Sequence, residues 1–236
     1  MHLINNIPKS IRPIIGRVAQ VFAPTKVKHL AGLHYWESRW EQEGGVFENS
    51  FYERLMLGMA SETDASFLQG KIVADFGCGP RGSLCWAHNA KLRIGIDVLS
   101  EKYTRFNISS HDMCYVCSTE KHIPLPSNYV DILFTLNALD HVSDFEKMCG
   151  EIFRIIAKGG EFIASFNLGG SPTFTEPQLL TEERIKKSLL NRLQLTSYRL
   201  APKGPERDLY HYFFEKSNMP CTKPQLLWIR GKKSAN

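Results

Sequence analysis

Residues 71–84, Lys-Ile-Val-Ala-Asp-Phe-Gly-Cys-Gly-Pro-Arg-Gly-Ser-Leu, leave few folds open to this chain. Ile72, Val73 and Ala74 form a continuous apolar run, the mark of a strand buried on both faces of a parallel sheet. Asp75 and Phe76 lead from it into Gly77 and Gly79. A side chain at either glycine would hold the backbone away from a bound ligand, and a tight turn here calls for positive φ. Pro80 suits a first helical position. The stretch therefore predicts a strand, a glycine turn and a helix whose free N-terminal N–H groups face a ligand.

Two cofactor classes fit such a turn. Gly77, Gly79 and Gly82 satisfy G-x-G-x-x-G, and Asp97 ends a second apolar run about twenty residues on, as in dinucleotide sites. Against that class stands Asp75, two residues before the first glycine, where dinucleotide folds keep an apolar residue. Asp75-Phe76-Gly77-Cys78-Gly79 resembles the first motif of the class I S-adenosylmethionine-dependent methyltransferases. More of the chain follows in that family's order. Arg93-Ile-Gly-Ile-Asp97 is similar to its second strand, and Ser118 through Asp131 to its adenine loop and a Leu-Pro turn. Asp131 through Val142 resembles its fourth strand and following loop, and Ile155 through Ile163 its Pro-Gly-Gly turn and fifth strand. These matches cover residues 71 to about 168.

The resemblance, within the type 11-like small-molecule members of the family, carries specific expectations. The fold would be α/β, a three-layer Rossmann-like arrangement on a mostly parallel seven-stranded sheet. A C-terminal hairpin would add one antiparallel strand. Residues 1–60 would form an N-terminal helical cap and residues 61–236 the cofactor-binding domain. S-adenosylmethionine would lie against Asp75, Gly77, Cys78, Gly79, Asp97 and Val98, with Asp97 holding the ribose hydroxyls. Ser118, Thr119 and Glu120 would meet the adenine, and Asn137 would border the cofactor. His141 is a candidate base with Asp140 orienting it, or Asp140 acts itself; the alternative is that His141 starts a helix or packs. Three positions depart from the family pattern: Arg81 replaces the third glycine, Thr119 an aspartate of the adenine loop, and Ala157 a proline.

Composition bounds the remaining choices. With 236 residues, 43% of them hydrophobic, the chain can bury the core of one ordinary domain. Its formal charge of +5 is spread among acids, without the basic stripe of a nucleic-acid binder. The end of the fourth strand lacks the Asp/Asn-Pro-Pro-aromatic motif of base-amino methyltransferases, and no Pro-Cys pair offers a cytosine-attacking cysteine. A nucleic-acid acceptor is thereby disfavoured. The six cysteines form no framework, Cys114 and Cys117 point to opposite faces of a strand, and no metal site is expected. With no membrane-length apolar run and no signal-like core, a cytoplasmic location is expected.

The N-terminal segment stands apart. Ile4, Ile7, Ile11, Ile14, Val18 and Val21 recur at helical spacing, and Lys9, Arg12, Arg17, Lys26 and Lys28 make every charge before Glu37 positive. A basic amphipathic helix over residues 4–22, ended by Pro24, would meet an anionic membrane or partner, or pack on its own domain. Residues 33–60 bring Tyr35, Trp36, Trp40, Phe47, Phe51 and Tyr52, suited to capping a cofactor or stapling the cap to the core.

From residue 71 onward strand and helix alternate: strands at 71–76, 93–98, 113–118, 130–137 and 160–167, with helices at 81–89, 101–108 and 145–157. Thr181 caps a further helix, and apolar runs at 195–200 and 226–230 close the sheet. The function implied is methyl transfer from S-adenosylmethionine to an oxygen or nitrogen of a small molecule such as a sugar, lipid or secondary metabolite. Ser171 through Gln178 forms a polar, proline-stiffened loop that can contact this substrate. Two alternatives stay open: a nicotinamide-dependent oxidoreductase, and a catalytically silent cofactor-binding or regulatory protein of the same fold, for which Arg81 speaks.

Overall fold

Five strands alternate with crossover segments and pair in parallel, and two further strands at the C-terminus close the sheet. The computed structural model describes residues 24–205, 209–214 and 225–234. The amphipathic pattern of residues 4–22 lies outside the described residues. The strands are β1 (Ile72–Phe76), β2 (Leu92–Asp97), β3 (Cys114–Cys117), β4 (Val130–Leu136), β5 (Ile156–Asn167), β6 (Leu193–Ala201) and β7 (Leu226–Lys233). Their order across the sheet is β3-β2-β1-β4-β5-β7-β6. β7 runs antiparallel to both β5 and β6. This is the α/β, Rossmann-like arrangement with a C-terminal antiparallel hairpin that the resemblance implies.

Alternation along the strands divides the core between two faces. Ala74, Phe76, Ile94, Ile96 and Leu133 pack with helix α3 (Phe145–Ile155) and helix α4 (Glu182–Ser188). Asp144 caps α3 by accepting a hydrogen bond from Lys147 N, and Thr181 caps α4 by accepting one from Arg184 N, as its position before the Glu182-Glu183 pair anticipates. Phe145, Met148, Ile152 and Ile155 of α3 are each buried, worth roughly 1.5–3 kcal/mol per side chain. On the opposite face, Val73, Ile132, Phe134 and Ile163 meet Leu55, Met56 and Met59 of helix α2 (Phe51–Ala60). The short helix α5 (His211–Phe214) joins this layer. Phe213 stacks on Trp228 of β7 at 3.8 Å, nearly parallel.

Two crossovers differ from the sequence expectation. No helix forms over residues 81–89: Gly79 (φ +59°) and Gly82 (φ +78°) are both left-handed and interrupt it. The segment descends instead by single turns, Cys85 N to Gly82 O, Ala87 N to Leu84 O and Ala90 N to Ala87 O. Pro80 therefore starts no helix, and no helix N-terminus faces a ligand at this turn. The helix expected at 101–108 is a 3₁₀ segment, Ser100–Phe106, followed by a second short one at Ile108–Ser110. Asn107, left-handed at φ +56°, separates them.

Helix α1 (Pro24–Gln42) lies across the C-terminal ends of the strands. Pro24 opens this helix, and its missing N–H costs nothing there. Trp36, Trp40 and Leu33 pack with Phe47, Leu99, Tyr103 and Phe106 as a third apolar cluster. Trp40 meets Phe47 edge-on at 5.0 Å and Phe106 at 5.6 Å, so the two tryptophans four residues apart do staple helix to core. Among the described residues no helix is long and apolar enough to cross a membrane.

Candidate functional site

In an open parallel sheet, the ends of strands whose crossovers leave in opposite directions part to form a crevice. Here β1 has β2 on one side and β4 on the other, and a cavity of ≈ 530 Å³ opens at their C-terminal ends beneath α1. That volume lies within the ordinary range of small-molecule pockets. Gly77, Cys78, Asp97, Val98, Ser118 and Asn137 all line it, as do Asp75, Thr119, Glu120 and His141. Gly79 and Asp140 stand just behind the wall. From α1 come Lys28, His29, Tyr35 and Trp36, and from α2 Tyr52.

The glycine turn is fixed from both sides. Gly77 N donates to Ile96 O at 2.8 Å, tying the turn to β2. Gly77 (φ +75°) leaves room for the Ala138 methyl, and Gly79 for the Trp36 indole, which a Cβ at either position would strike. These glycines thus admit protein neighbours as well as any ligand. Arg81 turns away from the cavity. Its guanidinium forms a two-point contact with the Glu43 carboxylate, donates to Glu48 O at 3.0 Å and lies over the Phe47 ring at 4.7 Å. Asn49 in turn donates to Arg81 O at 3.0 Å. The residue that breaks the family's glycine pattern clamps the cap to the turn.

Two acids face the cavity, Asp75 buried and Asp97 half-buried. Asp97 accepts from Leu99 N at 2.9 Å and from Gly79 N at 3.1 Å. Burial pushes its pKa up, partly offset by those two backbone N–H groups. Asp75 accepts from the Ser83 hydroxyl on one oxygen, and its Oδ1 has no partner among the described residues. Burial raises it to about 7, against the Ser83 hydrogen bond and with some repulsion from Asp97.

The loop after β3 divides its candidate residues. The Ser118 hydroxyl is buried and without a partner among the described residues. Thr119 Oγ1 accepts from Lys121 N at 3.2 Å. Glu120 is engaged by the cap: Lys28 Nζ and His29 Nε2 each lie 2.8 Å from Oε1, and Ser143 N donates to Oε2. Burial alone would raise the Glu120 pKa, but the hydrogen bonds from His29, Lys28 and Ser143 outweigh it and hold it at about 2. Lys28 also donates to His141 O and Ser143 Oγ, each at 3.0 Å. One lysine of the basic N-terminal run is therefore a latch between α1 and the loops after β3 and β4.

Beyond β4, Asn137 is left-handed (φ +47°) and closes a triangle with two residues distant in sequence. Its Nδ2 donates to Tyr210 Oη at 2.9 Å, the Ser165 hydroxyl lies 2.9 Å from the same oxygen, and Ser165 Oγ is 3.3 Å from Asn137 Oδ1. Nothing near Tyr210 in the sequence marks it; it precedes α5 and packs at 5.4 Å on Trp228, which pairs with Ser165 across β5 and β7. His141 Nδ1 lies 3.1 Å from Thr175 O and donates to it, which sets the orientation of the ring. Asp140 Oδ1 is 3.8 Å and Glu176 Oε1 3.9 Å from that Nε2. The orienting partner of His141 is thus a backbone carbonyl, whereas Asp140 faces the nitrogen that would take a proton. Asp140 is buried, its Oδ1 is without a partner among the described residues, and burial raises its pKa to about 6. Attraction to His141 lowers it and repulsion from Glu176 raises it further. Among the described residues no cluster of three or more His, Cys, Asp or Glu is placed to hold a metal ion.

Comparison with known proteins agrees with this architecture. Residues 74–164 match the family model of a methyltransferase domain. A tRNA U34 carboxymethyltransferase from a Sulfurovum species is 31% identical over 102 residues, 41% of this chain and 34% of that protein, so the match spans about a third of the relative's length. An S-adenosylmethionine-dependent methyltransferase from Mesorhizobium loti superposes with a TM-score of 0.56 at 15% identity, covering 70% of this chain and 92% of that one. A geranyl diphosphate C-methyltransferase from Streptomyces coelicolor, solved with S-adenosylhomocysteine, gives 0.52 at 16% identity over 72% and 76% of the two chains. The solved structures share the fold; the family model spans the glycine turn, Asp97 and the loop holding Asp140 and His141. Residues 74–164 thus match a methyltransferase domain, and the sheet around them has the fold of the solved S-adenosylmethionine-dependent methyltransferases.

Proposed function

We propose that the protein transfers a methyl group from S-adenosylmethionine to an oxygen or nitrogen of a small molecule. The observation that carries this reading is the pairing, in one cavity, of Asp75 and Asp97 at the strand ends with the His141 imidazole on the loop after β4. The residues present fit the cofactor. Asp97 retains lone pairs for ribose hydroxyls, Asp75 Oδ1 and the Ser118 hydroxyl are buried without partners, and Asp75 suits a ligand ammonium. Cys78 and Val98 flank Asp97, and Ser118 and Thr119 stand where an adenine edge would be met. Glu120 serves the adenine end indirectly, by anchoring α1.

When bound, the cofactor supplies a methyl group on a sulfonium, open to in-line displacement. What the protein contributes is placement, which accounts for about 7–11 kcal/mol of barrier in well-oriented systems. The Asn137-Ser165-Tyr210 triangle holds the end of β4, and α1 closes the cavity over it. His141 Nε2 accepts the proton lost by the acceptor, and Glu176, half-exposed at the mouth, passes it to water. Asp140 is the second candidate for that proton, since its buried carboxyl lies on the same side.

A dinucleotide is disfavoured by the turn itself, because no helix N-terminus follows Gly77-Cys78-Gly79 to meet a pyrophosphate. A nucleic-acid acceptor is kept as a second reading by the relative that is a tRNA carboxymethyltransferase. Calorimetric titration with S-adenosylhomocysteine and with NADH separates the cofactor classes. Micromolar or tighter binding of the adenosyl ligand alone is expected, and binding of NADH alone overturns the reading. Methyl transfer from labelled S-adenosylmethionine to bulk tRNA, with none to a metabolite pool, would move the acceptor to nucleic acid.

A further inference from the structure

The basic, apolar N-terminal sequence plays no part in methyl transfer as read above, yet the fold delivers it to the cavity. Pro24 opens α1, and Lys28, one turn further on, already lines the cavity, followed by His29, Ala31 and Tyr35. The chain before Pro24 therefore meets the fold at the rim of the cavity, about 6 Å along the helix from Lys28.

That rim is apolar where it meets solvent. Leu30 is 63% exposed and Tyr35 56%, and on the loop after β5 Phe174 is 37% and Leu179 43% exposed. The two segments adjoin. Lys28 donates to His141 O, His141 Nδ1 donates to Thr175 O, and Gln178 Nε2 donates to the carbonyl of Ser143, whose hydroxyl Lys28 also reaches. Single exposed apolar residues are ordinary; four on two adjoining segments around one cavity mouth mark a contact surface. Lys26 and Leu30, both exposed and four residues apart, share one face of α1.

Charge identifies what this surface meets. Through residue 36 the sequence holds five lysines and arginines and no acid. Lys28 is taken by Glu120, which leaves Lys9, Arg12, Arg17 and Lys26. Lys121, exposed beside Glu120, adds to them, and half-exposed Glu176 stands against them. Residues 4–22 lie outside the described residues, but their sequence sets Ile4, Ile7, Ile11, Ile14, Val18 and Val21 at the spacing of one helix face. Cations beside an apolar row match a surface that is anionic outside and hydrocarbon beneath, and these are the two signals that interfacial attachment requires. An acidic groove on a protein would answer the charge of one segment. A flat lipid surface answers the separate apolar segments around the mouth as well. Among the described residues no helix is long and apolar enough to span a bilayer, so the contact is with its surface.

We propose that the face bearing the cavity mouth docks on an anionic phospholipid surface, through residues 4–22, Lys26, Leu30 and the loop carrying Phe174 and Leu179.

Co-flotation of the full chain with vesicles of phosphatidylcholine alone, and of phosphatidylcholine mixed in equal parts with phosphatidylglycerol, tests this. Binding to the anionic vesicles is expected to be at least about tenfold stronger and to weaken as salt is raised. Lys9→Ala, Arg12→Ala and Arg17→Ala combined should lower it by about tenfold or more. Leu30→Ser with Phe174→Ser should lower it several-fold, and an unchanged thermal midpoint certifies the fold of both variants. On the vesicles, hydrogen exchange should slow in residues 24–35 and 171–180 and stay unchanged in β6, whose Leu195, Tyr198 and Leu200 are also exposed. Flotation with neither vesicle, equal flotation with both, or protection of β6 instead of the mouth overturns the proposal. So does an Ile11→Ser, Ile14→Ser variant that loses thermal stability and keeps full vesicle binding, which would assign residues 4–22 to packing on their own domain.

Discussion

The two ends of the cavity are built by different means. At the proposed cofactor end, Asp75, Gly77 and Asp97 sit on or directly after adjacent parallel strands, and their positions follow from backbone pairing of β1 with β2. At the proposed acceptor end, His141 and Glu176 sit on loops about half-exposed, and their positions follow from a carbonyl of one loop and a lysine of α1. A fold common to many chemistries can vary the second end while keeping the first. The cap spans both, through Arg81 and Glu43 at the glycine turn and through Lys28, His29 and Glu120 at the loops.

Substitutions at each end should separate these roles, and the largest effect is expected from a buried acid at the cofactor end. Asp75 is raised to about 7 in the folded chain, above its unfolded value. The folded state therefore holds the extra proton between about pH 4 and 7, so the ligand-free protein loses stability as pH rises through that window. The contribution is on the order of 4 kcal/mol, in the direction that Asp97 and Asp140, also raised by burial, reinforce. Denaturant unfolding at pH 5 and pH 8 should show that loss, and Asp75→Asn should remove the greater part of it. An equal loss in the variant would assign the pH dependence to the other raised acids, Asp97 and Asp140.

Next in size, Asp97→Ala should weaken S-adenosylhomocysteine binding by roughly 100-fold, the worth of charge-assisted hydrogen bonds to the ribose. Glu176→Gln in the same titration should change it little. Comparable losses in both would erase the distinction between the ends.

Arg81→Ala breaks the clamp between turn and cap. Removing one partner of a buried pair costs about 3–5 kcal/mol, and Glu43 keeps some exposure, so about 2 kcal/mol is expected here. Hydrogen exchange should rise in α1 while β1 and β2 keep their protection. Gly79→Ala meets left-handed backbone and the Trp36 ring and should cost about 1–2 kcal/mol in thermal unfolding, again with α1 loosened first. The smallest effect is expected from Tyr210→Phe, about 1 kcal/mol for one hydroxyl shared by Asn137 and Ser165.

Legibility in the sequence follows the same division. β1, β2, β4 and β5, the acid ending β2 and the Asp144-capped α3 are written in local runs and periods, and the expected boundaries agree within a few residues. The helix expected after the glycine turn is lost to Gly82, which counts in the sequence only as the third glycine of G-x-G-x-x-G and in the fold is left-handed. Arg81 read as a defect because its partner Glu43 lies 38 residues earlier. Lys28 reads as one more N-terminal positive charge, since its contacts with Glu120, His141 and Ser143 exist only once α1 meets the loops after β3 and β4. Tyr210 reaches Asn137 from 73 residues away. Pairing of β strands can be anticipated from hydrophobic pattern, whereas side-chain partners across loops cannot.

The central claim is that one cavity carries a cofactor end fixed by strand ends and an acceptor end fixed by loops. A crystal structure of the protein with S-adenosylhomocysteine tests it most directly. The account predicts the ribose hydroxyls on Asp97, the ligand ammonium beside Asp75 and the sulfur directed toward His141 Nε2. A ligand bound outside the cavity beneath α1, or bound with its sulfur turned away from His141, would contradict it.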